Sequence, residues 1–230
     1  MVFRPKIDRY QLFGLFSIAA SAFFMLVAFQ GSARLLFIGG FAYGLLLLFH
    51  KPAERLARKY VAHPLRAYGI GVVVNGMLME VLAYTSSLDR IARGEKVPLF
   101  SHESLAEDLA IGLPYYIILA GVFCWSVRRY ALTAFELGAV IFLFWAIAVD
   151  EFVHLRNLFQ GAVLEFLLAG LLMVFTLHGS IVIFEKQLQE AYPNRRRGWQ
   201  RFAVPFCLQI LSFAAPVAAI GLKLLLAGRF

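Results

Sequence analysis

Long runs of apolar residues, separated by short polar stretches, dominate this chain. Seven of the runs approach the ~20 helical residues needed to cross the hydrocarbon core of a bilayer. Their apolar residues are continuous and do not alternate with polar ones, so the pattern is not that of a membrane β-barrel. It predicts an all-α polytopic membrane protein: one domain over residues 1–230, built as a single bundle of about seven transmembrane helices. The predicted spans are 11–29, 34–49, 67–84, 109–127, 131–149, 161–184 and 202–226.

The composition agrees with membrane placement. The chain is 61% hydrophobic and 16% charged, whereas a soluble domain carries about 25% charged residues. The net charge of +8 falls mainly on segments that flank the apolar runs, where membrane orientation and lipid headgroups account for basic residues. We therefore expect the lipid bilayer as a partner, not nucleic acid.

The distribution of Lys and Arg predicts the orientation. With the N-terminus in the cytoplasm, the cytoplasmic segments hold 15 Lys and Arg residues and the outer segments hold 6. Basic residues are enriched on the cytoplasmic side of membrane proteins. The expected topology is N-in and C-out, in the cytoplasmic (inner) membrane.

Three local patterns predict how helices begin and pack. Residues 50–66 form a basic amphipathic connector, expected as a short helix in the headgroup layer. Ser104 and Glu107 form a capping box that should begin a helix. Gly40 and Gly44 form a small-xxx-small pair that allows a neighbouring helix to approach closely.

Five ionisable residues are predicted near the outer ends of the spans. Asp150, Glu151 and His154 follow span five, at spacings that place both carboxylates on the histidine's face if the helix continues. Glu80 and Glu165 are expected at similar depth. Charges within spans are costly and usually face the bundle interior or water. The sequence therefore predicts a polar pocket that opens to the outer leaflet.

Carboxylates beside an imidazole suit general acid–base chemistry on a lipid-like or isoprenoid amphiphile, or a proton relay. Glu151 and His154 also form a Glu-x-x-His fragment of the kind found in metal-binding bundles, but the chain has no second copy of it. A metal at this pair stays open, and no cofactor is assigned. The competing interpretation is a hydrated helix end with no site.

Three further polar residues lie within predicted spans. Glu136 is near the cytoplasmic end of span five, with Arg128 or Arg129 as expected partners. His178 has no second histidine at similar depth, so we expect a packing role and not haem ligation. Lys223 lies too near the end of the last span to hold an enclosed retinal.

Two classes of function are compatible with these patterns. The first is a membrane enzyme that acts on an amphiphile through the outer-side carboxylate and histidine pocket. The second is a small transporter or a non-catalytic scaffold subunit, with partner membrane helices. Transporters built from repeats have related halves and polar residues at the midplane. Seven spans do not divide evenly, which counts against a carrier, but whether the chain is catalytic stays open.

Overall fold

The computed structural model describes residues 7–27, 33–92, 94, 104–148, 163–193 and 198–226. Across these ranges every regular element is an α-helix, with no strand, so the all-α prediction is confirmed. In chain order the helices are α1 (Arg9–Val27), α2 (Ala33–Leu48), α3 (His50–Tyr60), α4 (Pro64–Ala92), α5 (Leu105–Tyr130), α6 (Ala134–Ala148), α7 (Val163–Ala191) and α8 (Gln200–Leu226).

Two predicted local features are found. The basic connector forms α3, and its last turn carries Arg58 and Lys59. Ser104 caps α5, because its side-chain oxygen accepts a hydrogen bond from the backbone N–H of Glu107 at 3.2 Å. That contact satisfies one of the N–H groups that have no partner inside the first turn of a helix.

The connection between α5 and α6 lies later than predicted. The predicted spans 109–127 and 131–149 leave residues 128–130 as the turn between them, but α5 continues through Tyr130. Ala131 then ends the helix with a left-handed backbone (φ 48°), and its N–H donates to the Val127 carbonyl. A residue in this conformation is a common helix ending, although glycine usually occupies it.

Helix α7 is the centre of the arrangement. It packs against α1, α2, α3, α4 and α6. Helix α5 lies against α4 and α8, and α8 also contacts α6. The fully buried side chains come mostly from α5, α6 and α7 and include Leu119, Phe123, Leu137, Ile141 and Ile181.

Several side-chain contacts join neighbouring helices at one end of the bundle. Asp8 before α1 meets His50 of α3, and Tyr10 of α1 meets Glu185 in the last turns of α7. Glu136 in the first turn of α6 meets Arg201 in the first turn of α8. We call this region the polar end. It also includes Arg58 and the two carboxylates that Arg58 contacts, those of Glu54 and Glu190. Successive long helices therefore run in alternating directions, with α3 as a connector at the polar end.

Glycines make the closest helix contacts. A Cβ on Gly14 would lie 2.7 Å from the backbone oxygen of Gly44, and a Cβ on Gly44 would lie 2.8 Å from that of Gly14. One turn away, the Ser17 hydroxyl donates to the Gly40 carbonyl at 2.7 Å. The close approach predicted at Gly40 and Gly44 is therefore present, and α1 is the helix that approaches.

Two helical stretches in the described ranges are long and apolar enough to cross a membrane, namely Pro64–Leu82 and Leu105–Tyr130. Ile38–Leu48 and Ala134–Phe144 are apolar but shorter. Length and composition alone make this a weak indication of membrane association, because core helices of soluble proteins can pass the same test.

We predict that Gly44→Ala destabilises the protein, because the added methyl group would overlap the α1 backbone. Overpacking of this kind costs typically ~1–3 kcal/mol. Gly121→Ala is the matched control: a Cβ there meets no atom within 4 Å, and alanine is the better helix former. Thermal unfolding of both variants in detergent measures the difference. Equal midpoints for the two variants would contradict the close contact.

Candidate functional site

For most residues of the predicted outer-side site, the side chain lies outside what the structure describes. Asp150, Glu151 and His154 lie in the segment that joins α6 to α7, outside the described residues. Glu165 and His178 lie in α7, and Lys223 lies in α8; for these three the structure describes the helix and not the side chain. The convergence of these groups stays a prediction.

The predicted metal ligands Glu151 and His154 also lie outside the described residues. Within the described residues, no group of three or more His, Cys, Asp or Glu side chains could hold a metal ion. Glu151 and His154 are not part of that set, so the assignment of a metal to them is untested.

Of the five predicted site residues, Glu80 is the one whose side chain is described. It lies between α4 and α5, where the Tyr116 hydroxyl donates a hydrogen bond to Glu80 Oε1 at 2.8 Å. Tyr116 is only 7% exposed. The ring of Tyr115 lies beside that of Tyr116, with centroids 5.1 Å apart. A carboxylate and two phenols therefore share one interhelical position.

Two glycines make room for this pair. A Cβ on Gly112 would lie 3.2 Å from Glu80 Cγ, and a Cβ on Gly76 would overlap the Tyr116 ring. Gly76 and Glu80 are four residues apart on α4, and Gly112 and Tyr116 are four residues apart on α5. Since residues at that spacing share a helix face, each large polar side chain lies over a glycine of the facing helix. Glu80 is therefore held at a closely fitted helix crossing.

At the polar end, Asp8 bridges the start of α1 to α3. Its Oδ2 lies 2.7 Å from Lys51 Nζ and 3.4 Å from His50 Nε2. His50 Nδ1 lies 2.8 Å from the Leu47 carbonyl oxygen. Both ring nitrogens therefore face oxygen atoms.

The surroundings of Asp8 also set its protonation. Partial burial raises the pKa of the carboxyl group. The hydrogen bonds from Lys51 and the Gln11 backbone, with the nearby positive charges, outweigh that effect and hold the pKa below its ordinary value of 3.8. Asp8 is therefore charged at neutral pH, and its contacts with α3 are lost only in acid.

A second group joins α1, α6 and α7. The Tyr10 hydroxyl donates to the Glu185 carboxylate. The Tyr10 ring stacks on Phe135 with centroids 4.8 Å apart, and the Arg9 guanidinium lies 5.1 Å from the Phe135 ring centroid. The aromatic stack and the charged hydrogen bond fix the start of α1 against two other helices.

Glu136 has a different environment from the one predicted. Thr133 and Glu136 form a capping box: Thr133 Oγ1 accepts from the Glu136 N–H at 3.2 Å, and Glu136 Oε2 accepts from the Thr133 N–H at 2.9 Å. The carboxylate also forms an ion pair with Arg201 of α8. We expected Arg128 or Arg129 as the partner, and both are exposed. Glu136 is thus a helix cap and an interhelical ion-pair partner.

Sequence inspection missed Gln209, which is fully buried in α8. Neither polar atom of its side chain has a hydrogen-bond partner in the part of the chain that the structure describes. Ser212, one turn further, is also buried and bonds the Gln209 carbonyl at 2.7 Å. In the sequence, Gln209 can be seen as a polar amide side chain inside the predicted apolar span 202–226. An unpaired buried amide is costly, so it is a functional candidate.

No family model, no curated protein and no solved structure matches this chain. A proposal about function therefore depends on the residues and contacts described above.

We predict that Arg201→Gln strongly destabilises the protein. The side chains of Arg201 and Glu136 are 13% and 20% exposed, so the substitution leaves a largely buried carboxylate without its cation. Breaking a buried pair in this way costs on the order of 3 kcal/mol. Arg58→Gln is the control, because Arg58 pairs with an exposed carboxylate of Glu190 and such pairs contribute little. Chemical or thermal unfolding in detergent compares the two; similar losses would contradict the distinction.

Proposed function

We propose that this chain is a multi-pass protein of the cytoplasmic membrane, with α1, α2 and α4 to α8 as seven spans. The alternating helix directions support this proposal, because successive long helices would then cross the bilayer in opposite directions. The basic residues of α3 and of the start of α8 lie at the polar end, which we assign to the cytoplasm.

Outward-facing apolar rows support membrane placement. On α4, Ile70, Val74 and Leu78 follow one another at four-residue spacing and are 64%, 50% and 55% exposed. On α5, Leu113 and Ile117 continue such a row at 41% and 55% exposed. Water penalises rows of this kind by roughly 25 cal/mol per Å² of apolar surface, whereas lipid does not. The apolar faces are therefore suited to contact with acyl chains.

We further propose that the protein acts on a lipid-like or isoprenoid amphiphile at its outer side. The observation that carries this proposal is the Glu80 carboxylate, held by the Tyr116 hydroxyl between two helices with apolar outer faces. An amphiphile that moves along those faces brings its polar group to the depth of Glu80. There the carboxylate is suited to accept or return a proton.

The other predicted site residues complete this proposed site. In the proposal, Asp150, Glu151 and His154, which follow α6 in the sequence, belong to the same site as Glu165 in the first turn of α7. In the proposal, the histidine and a second carboxylate supply the complementary acid or base. Tyr116 positions Glu80 and is not itself the proton donor to the substrate.

Transport is the second candidate, and Gln209 is the observation that favours it. The residue lies about 10 Å inside the predicted last span at 1.5 Å per residue. Buried polar groups within spans commonly mark substrate or ion pathways. Uptake by proteoliposomes that is lost in Gln209→Leu and kept in Glu80→Gln would favour transport over amphiphile chemistry.

The topology gives the first test. Reporter fusions at Asn194 and Phe230 should report opposite sides of the membrane, with Asn194 in the cytoplasm. If both positions report the same side, one of the seven spans is miscounted and the one-sided site is wrong with it.

Ligand-induced stabilisation tests the site itself. Purified protein is heated with a prenol, a prenyl diphosphate, a fatty acid or a phospholipid, and one class should raise the unfolding midpoint. A ligand at 100 times its Kd stabilises by about 2.7 kcal/mol. Glu80→Gln and Tyr116→Phe should keep the fold and lose that shift, because each removes the charged or hydroxyl group alone.

Glu190→Gln is the matched control: it is the same change on an exposed residue at the polar end, and it should respond to ligand like the wild type. A shift that survives Glu80→Gln unchanged would overturn the proposed site.

A further inference from the structure

Helix α3 presents three distinct rows of residues at four-residue spacing. The inner row is Ala53, Ala57 and Val61, of which Ala57 is buried and the others are half-buried. A second row holds Lys51, Arg55 and Lys59, all exposed. A third holds Pro52, Leu56 and Tyr60, also exposed.

The inner side of α3 is fixed to the bundle. The helix packs against α7, and Arg58 pairs with Glu190 of α7 at 2.8 Å and with Glu54 of its own helix at 3.2 Å. Lys186 of α7 approaches Glu54 at 4.0 Å. These contacts orient α3, so its two other rows are exposed; Lys51, at the start of the second row, also contacts Asp8.

The outer rows combine positive charge with large apolar groups. Leu56 and Tyr60 are 62% and 69% exposed, and Phe49, just before the helix, is 61% exposed. The Lys59 ammonium lies 5.0 Å from the Tyr60 ring centroid. Among the described residues, Arg55 and Lys59 form no ion pair, whereas Lys51 is paired with Asp8 at 2.7 Å.

We propose that this outer face of α3 binds anionic phospholipid headgroups of the cytoplasmic leaflet. The basic row meets the phosphate groups, and Leu56 and Tyr60 enter the boundary between headgroups and acyl chains, as in interfacial amphipathic helices. Anionic lipids are the occupant that fits, since Arg55 and Lys59, which have no counter-ion in the described part of the chain, lie directly beside an apolar row. The inference rests on the membrane placement proposed above and is independent of the Glu80 site.

The test is the retention of lipid by the purified protein. The full chain is held in detergent micelles with equimolar phosphatidylglycerol and phosphatidylcholine, and native mass spectrometry counts the lipids bound to the intact protein. Phosphatidylglycerol should be enriched in the wild type. A basic residue near an anionic surface contributes a free energy that corresponds to roughly fivefold in binding, so R55Q/K59Q should weaken retention by about 25-fold.

The matched control is R128Q/R129Q, which removes the same charge from two exposed residues at the end of α5. It should retain phosphatidylglycerol within about twofold of the wild type. Unchanged unfolding midpoints establish that both variants fold. Leu56→Ser should lower retention of both lipids, because it removes the apolar contact and keeps the charge.

Three results would overturn the proposal. Equal retention in R55Q/K59Q and the wild type removes the lipid site, and equal losses in both double variants reduce it to net charge. A two-protomer species that R55Q/K59Q alone loses would assign the face to a second copy of the chain.

The Glu80→Gln variant separates the two proposals, because it should keep phosphatidylglycerol whatever its effect on the amphiphile. A chain that stays monodisperse without detergent would instead overturn the membrane placement itself.

Discussion

The packing of α7 against five other helices is the constraint on which the rest of the structure depends. A helix with that many neighbours needs small residues wherever another backbone or a large ring approaches. Gly71 of α4 faces Ser180 of α7, where an added Cβ would lie 2.7 Å from the serine side chain. Gly170 of α7 accommodates the Phe142 ring of α6 in the same way. Because lipid provides no hydrophobic drive for helices to associate, close van der Waals contact at small residues becomes the main attraction in a membrane.

The second constraint is the direction in which each helix runs, and the contacts of the polar end determine it. Tyr10, Arg58 and Arg201 each reach a carboxylate on a different helix, so each contact fixes which helix ends lie side by side. The glycine contacts hold helices together at many positions along their length, but they say little about which way each helix runs. These hydrogen bonds and ion pairs at one end remove that ambiguity. A reversed helix would separate its charged residue from the partner and leave the charge in an apolar environment.

Local features of the fold follow from the sequence better than the contacts between helices do. The apolar runs, the α3 connector and the Ser104 cap depend on residues within a few positions of one another, and they were predicted. The start of α6 was also readable, because Thr133 and Glu136 have capping-box spacing; it was missed because Glu136 was interpreted as a charge inside a span. The Arg201 partner depends on how α6 and α8 pack, which no local pattern encodes.

The same distinction applies to the candidate site. Glu80 was predicted from its charge within a span, and its convergence with His154 and the neighbouring carboxylates stays a prediction. The structure adds Tyr116, an aromatic residue of the kind that usually packs or faces lipid. Its role depends on Gly76 and Gly112, whose missing side chains make room for the pair. A glycine shows its importance only when the facing helix is in place, so the crossing could not be predicted from either segment alone.

The carboxylates of the polar end and the Glu80 carboxylate are held by different sets of contacts. At the polar end, Asp8 and Glu136 meet cations and helix N–H groups, and Glu185 accepts a hydrogen bond from the Tyr10 hydroxyl. Glu80 accepts a hydrogen bond from the Tyr116 hydroxyl, which orients its carboxylate where α4 and α5 cross. A carboxylate that is oriented in this way is suited to exchange a proton with a substrate. That orientation, together with the apolar outer faces of α4 and α5, is the reason for proposing the Glu80 crossing as the site.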